Sequence, residues 1–395
     1  MISVAEARAL MLASAAPCSA VNVSLRSSLA RSLREDVIAS RDQPPFRASA
    51  MDGYALRAID TPGPVRMIGE AGAGRALGHP LGAGECARIF TGAPLPAGAD
   101  SVLIQEEAAR DGEIVTAPLV EKGRHVRSAG VDFKSGDRLL QAGAIIDAAA
   151  IALAAAAGRT SLLVSRRPRV AVLSGGDELV SPGQSPAQDQ IFDSMSVGIA
   201  ALAEQWGGDA TGIGPLADRA PDIANAISEA IAAHDLTVIV GGASVGDHDH
   251  ARPAVRGLGG VFLFEKVALR PGKPTWFARI GGRLVLGLPG NPASAFVCAR
   301  LFLRPLIDQM CGRDPMMSAG VRKARTRAPL SANGSRETYL RAAPATDESG
   351  QAWVTAPARQ DSSLLSVFAG AQALIVRAPD APEAPAGALV DVLYP

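Results

Sequence analysis

Residues 169–178 read Arg-Val-Ala-Val-Leu-Ser-Gly-Gly-Asp-Glu, a short apolar run that stops in two glycines and two carboxylates. The pattern returns twice downstream: Leu236–Val240 (LTVIV) ends in Gly241-Gly242, and Arg283–Leu288 (RLVLGL) ends in Pro289-Gly-Asn-Pro292. Runs this short and apolar, bounded by turn residues, predict buried strands. Helical patterns lie between them. Residues 194–206 are halted by Gly207-Gly208. Residues 221–233 (PDIANAISEAIAA) begin on a proline and space their apolar side chains for one face, and 292–303 follows the third run. Strands alternating with helices predict an α/β domain, a doubly wound parallel sheet with helices on both faces.

Working outward, the texture changes on both sides. Residues 41–127 hold short alternating runs, such as 65–68 and 87–90, between Gly/Pro clusters (TPGP, AGAGRALGHPLGAGE, GAPLPAGAD), the mark of a small β-rich domain with tight turns. The glycine-rich run 69–84 follows no strong strand and reads as turns, not a dinucleotide fingerprint. Before this region, Ser3 with Glu6 forms a capping box that opens a helix through Leu12. After it, a turn leads back into an alanine-rich helix at 148–158, expected to be buried. The chain is therefore expected to leave a helical region, build a β insertion and return. The last 80 or so residues, with runs at 373–376 and 388–393, are β-rich again and read as a small barrel.

Composition bounds the function. Lys+Arg and Asp+Glu both total 39, so the formal net charge is zero. A general nucleic-acid or anionic-membrane binder would carry a basic excess, so no nucleic acid and no membrane is expected as partner. The four cysteines (Cys18, Cys86, Cys298, Cys311) are scattered without zinc-like pairing, which suits a reducing compartment. The longest uncharged run, AAAIALAAAAG, falls short of the ~20 residues a bilayer span needs. Residues 1–20 lack a basic n-region, so the expectation is a soluble, cytoplasmic protein.

In an open parallel sheet, ligands bind beyond the carboxyl ends of the strands near a topological switch point. Three glycine-rich turns converge there: 174–178, 241–250 and 287–294. Glycines let successive backbone N–H groups face one cavity, which suits phosphate or another oxyanion. Glu178, Asp247 and Asp249 at this rim would repel a phosphate unless a divalent cation such as Mg²⁺ lay between them; alternatively, some of them merely cap helices. His248 and His250 lack a third ligand and read as surface residues. Lys266, Arg270 and Lys273, just before the third strand, form either an anion pocket or a solvated face. Residues alone thus give a metal-assisted binder of a phosphorylated ligand, without naming a reaction.

The runs Pro45-Phe-Arg-Ala-Ser-Ala-Met-Asp-Gly-Tyr-Ala55, Ile89-Phe-Thr-Gly-Ala-Pro-Leu-Pro96, Gly130-Val-Asp-Phe-Lys-Ser-Gly-Asp137, Gly241–Asp249 and Arg270-Pro-Gly-Lys-Pro274 with Gly287–Pro292 together resemble the molybdopterin molybdenumtransferases, the bacterial MoeA proteins and the gephyrin E domain. The match runs in order through nearly the whole chain. The resemblance implies an elongated four-domain subunit. Its parts would be a helical linker and dimerisation domain (1–44 and 135–166), a β-rich insertion (45–134), a molybdopterin-binding α/β domain (167–311) and a C-terminal β-barrel (312–395). It implies a homodimer with a composite active site, Mg²⁺ as cofactor, and insertion of molybdate into adenylated molybdopterin with release of AMP. A molybdopterin adenylyltransferase would be the upstream partner.

On the same resemblance, Asp52 and Thr91 reach across the dimer, Glu178, Asp218 and Asp249 are functional carboxylates, and Lys266 and Lys273 join them as catalytic residues. Glu178 and Asp249 would hold Mg²⁺. Asp132, Ser174, Gly242, Ser244, Asp247, Arg270, Pro289, Asn291, Pro292, Ser294, Arg341 and Ser362 would contact substrate. Asp52 and Thr91 also read as turn-formers beside glycines. Three departures stand out: Gly175 in place of the family's threonine, Met195 in place of an asparagine, and Arg270 in place of a lysine. Two rival readings are a non-catalytic molybdopterin-binding or scaffolding module and an unrelated Mg²⁺-dependent nucleotidyl or phosphoryl transferase.

Overall fold

The computed structural model describes residues 1–241, 250–318 and 320–394. They form two compact units, one of residues 1–21, 30–32 and 164 onward, the other of residues 22–29 and 33–163.

In the first unit a six-stranded sheet runs in the order Asp209–Leu216, Arg169–Gly175, Leu236–Val240, Arg283–Leu288, Trp276–Ile280, Val261–Phe264. The first four strands are parallel to one another, and Trp276–Ile280 runs antiparallel to both of its neighbours, Arg283–Leu288 and Val261–Phe264. The expected doubly wound parallel sheet is present, and one antiparallel strand is added near its edge. Gly281-Gly282 closes a two-residue hairpin between Ile280 and Arg283, with Gly281 at φ 57°, so an antiparallel edge needs no crossover helix. Alternate residues of the central strand feed two cores. Val170 and Val172 pack with the helix Met195–Gln205, the helical run 292–310 and the N-terminal helix Val4–Ala13. Ala171 and Leu173 pack with Ala220–Ala233 and Ala251–Gly257 on the other face. Burial on both faces is why these strands read as uninterrupted apolar runs.

The strands Arg322–Thr326, Glu337–Thr346, Ala352–Thr355, Ala373–Arg377 and Leu389–Leu393 close into a five-stranded barrel, the ring completed by pairing of Glu337–Thr346 with Ala373–Arg377. Ala324, Ala342, Val354, Ile375 and Val392 fill it. The short strand Leu269–Arg270 adds to its edge beside Glu337 and Thr338, so the turn carrying the cations is tied to the barrel.

The second unit is built on a sheet in the order Ser101–Ile104, Gly53–Leu56, Glu85–Ile89, Gly63–Ala71, Ile114–Ala117, Ala109–Asp111, with apolar clusters around Leu56 and Ala55 on its two faces. Gly53 permits one tight crossing: a Cβ there would lie 1.9 Å from the Leu103 carbonyl oxygen. The alanine-rich helix forms at Ala148–Ala156, with Asp147 accepting from the Ala150 N–H at 2.7 Å. It is not the buried helix expected. Ala150 and Ala154 are buried, whereas Ala148, Ala149, Ala152, Ala155 and Ala156 are exposed in this chain. Mean apolarity identifies a helix but not which of its faces meets a core.

Candidate active site

The strand order reverses between Arg169–Gly175 and Leu236–Val240, and a cleft of about 820 Å³ opens beyond their carboxyl ends. That is the switch point where open α/β sheets bind ligands, and the volume suits a small-molecule site. Its lining joins Ser174–Leu179, Ile191–Met195, Asp218, Gly241, Pro274, Pro289–Pro292 and Ser363.

The first rim loop is held by its own carboxylates. Asp177 Oδ1 accepts from the Asp218 N–H at 2.9 Å, fixing Asp218 beside the loop. Gly176 sits at φ 153°, and a Cβ on it would lie 2.4 Å from Glu178 Oε2, so the glycine leaves room for the Glu178 carboxylate to fold back over the rim. Glu178 is exposed, and its carboxylate has no hydrogen-bond or ion-pair partner among the described residues. Asp193, 1 % exposed, is the anchor beneath. Its Oδ1 accepts from the Met195 and Ser196 N–H groups, each at 3.1 Å, and its Oδ2 from the hydroxyls of Ser174 and Ser196. One buried carboxylate thereby caps a helix and locks the end of the central strand.

The other rim comes from the turn 270–275 and the helix Pro292–Cys298. Gly272, at φ 118°, packs so closely that a Cβ would meet Cys298 Sγ at 2.2 Å, and Thr275 Oγ1 donates to the Gly272 carbonyl at 2.7 Å. Burial pushes the Cys298 thiol up to about 12, so it serves here as apolar packing. Lys266, Arg270 and Lys273 are exposed, without ion-pair partners among the described residues. Lys273 immediately precedes the cleft-lining Pro274.

The barrel contributes the loop 360–364. The Ser362 carbonyl accepts from the Ala293 N–H at 3.0 Å, and Ser363 lines the cleft. Arg341, expected to touch an oxyanion, does something else. It is 2 % exposed, and its guanidinium donates to the carbonyls of Asp361 (2.8 Å) and Leu364 (3.2 Å) and to the Gln360 amide oxygen (3.3 Å). Ser294 is buried in the first turn of its helix.

In the second unit, the motifs around Asp52 and Thr91 meet. Asp52 Oδ1 accepts from both the N–H and the hydroxyl of Thr91, each at 2.8 Å. These bonds, with the nearby Arg88 charge, hold the Asp52 carboxyl below its ordinary value. Arg88 donates to the Gly53 carbonyl and to Gln105, and lies over the rings of Tyr54 and Phe90 at 5.2 and 5.0 Å. Asp132 is exposed on a turn whose N–H donates to the Gln43 carbonyl at 3.0 Å.

Gly242, Ser244, Asp247, His248 and Asp249 lie outside the described residues. Among those described, no three His, Cys, Asp or Glu side chains are grouped to hold a metal. Sequence reading passed over Asp177, Phe192, Asp193, Gln360 and Ser363. Asp177 stood inside the quoted run 169–178 and Asp193 lies two residues before the noted Met195, but nothing in a motif separates a carboxylate that faces ligand from one that holds the loop.

The fold and cleft define a multidomain α/β protein with a small-molecule site at the sheet's switch point. Family models match in chain order: the MoeA N-terminal region (domains I and II) at residues 2–158, a probable molybdopterin binding domain at 171–309, and the MoeA C-terminal region (domain IV) at 323–394. A molybdopterin molybdenumtransferase of Nostoc sp. is 36% identical over 80% of this chain and 76% of its own length, and one from Staphylococcus aureus 34% over 74% and 72%. The crystal structure of the molybdopterin biosynthesis moeA protein from Pyrococcus horikosii superposes with a TM-score of 0.86 at 28% identity, covering 100% of this chain and 99% of that one. The chain belongs to the MoeA family of molybdopterin molybdenumtransferases.

Proposed function

We propose that this protein is the transferase that inserts molybdate into adenylated molybdopterin, releasing AMP and completing the molybdenum cofactor. The carrying observation is the cleft itself. It is a switch-point pocket with an exposed carboxylate, Glu178, on one rim and the exposed cations of the 266–273 segment, which have no ion-pair partner among the described residues, on the chain leading to the other. Molybdate is a dianion near neutral pH and the acceptor carries phosphates, so fixed cations are what such a pocket needs. Lys273 and Arg270 would draw in the oxyanion, while the Asn291 side-chain amide, which lines the cleft, supplies a hydrogen-bond donor. Positioning and electrostatics then do most of the work, without a covalent nucleophile.

The oxygen-only donor set of Glu178 and Asp218 fits Mg²⁺, which takes one or two protein carboxylates and completes its shell from phosphates and water. Asp249 would join them. Bound there, the ion would neutralise charge on the phosphate linkage and make AMP a better leaving group. Asp52 and Thr91, already paired to each other, are the groups we assign to the site of a partner subunit in a homodimer. The half-exposed alanine-rich helix supports a covering chain. The four-domain boundaries, cytoplasmic location and supply of substrate by a molybdopterin adenylyltransferase belong to the same reading.

The test is turnover. Purified protein, adenylated molybdopterin, Mg²⁺ and molybdate should release AMP at a rate dependent on molybdate. Tight pterin binding with no molybdate-dependent AMP would reject the enzyme in favour of a binding module.

A further inference from the structure

We infer that Phe192 is the ring platform of the cleft, the surface on which a flat heteroaromatic group joined to a phosphate stacks. This rests on reading the cleft as the substrate pocket. Phe192 is the only aromatic residue among the described residues lining the cleft, and it is 48 % exposed, with Ile191 beside it at 60 %. Single exposed apolar residues are ordinary on a protein surface. This pair differs because it stands in a pocket otherwise lined largely by glycine, serine, acidic, asparagine and proline residues. A ligand that is phosphate throughout gains nothing from a phenyl ring there, whereas one with a π-face does.

The backbone that carries the ring is also held in place. Ile191–Phe192 pairs in parallel with Leu179–Val180, the Ile191 N–H donates to the Glu178 carbonyl at 2.7 Å, and the Asp193 N–H to the Val180 carbonyl at 2.8 Å. The next residue is the buried Asp193, fixed by its four accepted hydrogen bonds. A backbone clamped on both sides of an exposed ring leaves only the side-chain torsions to be ordered on binding, a condition that lets stacking contribute more. The thioether of Met195, also in the lining, is a polarisable neighbour for the same ring system.

Two rings fit this chemistry, adenine and pterin, and equilibrium binding separates them. The probes are AMP, a phosphorylated pterin lacking adenylate, and ribose 5-phosphate, which keeps the phosphate but has no ring. Phe192→Ala should weaken AMP or the phosphopterin by about 5- to 150-fold, equivalent to about 1–3 kcal/mol at 1.4 kcal/mol per tenfold. Ribose 5-phosphate should bind wild type and variant alike, and Phe192→Tyr should restore the lost affinity. The probe that weakens identifies the ring. Unchanged affinity for both ring-bearing probes in Phe192→Ala, or an equal loss for ribose 5-phosphate, overturns the inference alone. If wild type binds none of the probes, the substrate-pocket reading falls, and the inference with it.

Discussion

Replacing Asp193 by alanine tests whether one buried carboxylate holds the floor of the cleft. The side chain accepts four hydrogen bonds, two from backbone N–H groups at the start of Met195–Gln205 and two from the hydroxyls of Ser174 and Ser196. Loss of a capping side chain costs about 0.5–2 kcal/mol, and a buried donor left unsatisfied about 1–3 kcal/mol. The two hydroxyls can rotate to other acceptors, so the backbone amides dominate and we expect a local loss of about 2–4 kcal/mol. Asp193→Asn keeps an oxygen for the two amides and offers an NH₂ that the serine oxygens can accept, so its loss should be about 1 kcal/mol. A chain of several domains gives no single unfolding free energy, so the assay must be local. Hydrogen exchange at the Gly198 N–H, which donates to the Ser194 carbonyl at 3.0 Å, reports the first turn without being one of the amides Asp193 bonds. Its exchange should accelerate by about 30- to 700-fold in Asp193→Ala, at 1.4 kcal/mol per tenfold. Protection within about threefold of wild type would mean that the helix does not depend on this cap, and the anchoring role would be abandoned.

Gly53→Ala should cost about 3 kcal/mol or more, since its Cβ would press on a backbone oxygen that cannot move aside; limited proteolysis should then cleave within residues 33–163 at protease levels the parent resists. Asp347 is held down to about 2 from an ordinary 3.8 by bonds from Ser349 and from Trp353 Nε1–H, the latter at 2.7 Å. A depressed carboxyl stabilises the fold above the unfolded value and loses that contribution as pH falls through the folded one. The indole N–H resonance of Trp353 should therefore shift as pH falls below about 3, with a midpoint near 2, and a midpoint near 3.8 would contradict the bond. Burial raises Cys86 and Cys311 to about 11 and Cys298 to about 12, and Cys18 is buried as well. All four thiols should resist alkylation at pH 8 in the native protein and react once it is denatured.

The parts of the fold that could be read from sequence were those with period and punctuation. Leu236–Val240 and Arg283–Leu288 are apolar because both faces of the sheet are covered, and their glycine ends mark where strand gives way to rim. The antiparallel strand was not anticipated: Trp276–Ile280 contains Arg279, and its partner across the hairpin depends on Gly287, where a Cβ would fall 2.0 Å from the Trp276 ring. That requirement is a contact between strands, with no trace in either one alone. The alanine-rich helix shows the converse limit. Small side chains make a helix on propensity, but alanine does not announce its buried side.

The site divides in the same way. Glu178, Lys273 and Asp52 stood out by motif, and each is exposed, which is what a group meeting a ligand requires. Arg341 stood out too, yet its fork is already engaged with two carbonyls and an amide oxygen. Three of its five N–H donors are spent there and the other two are buried with it at 2 % exposure, so an oxyanion would reach them only by displacing the loop, and each bond lost from a buried charged group costs about 1.5–3 kcal/mol. Its effect therefore travels through the 360–364 loop, which brings the Ser362 carbonyl to the Ala293 N–H and Ser363 to the cleft. Arg341→Lys keeps the charge but cannot span both carbonyls and Gln360 at once. If Arg341 positions, this variant should lose ligand affinity as fully as Arg341→Met. If Arg341 contacts the anion by charge alone, lysine should rescue most of the binding. A titration of AMP against the two variants decides between them.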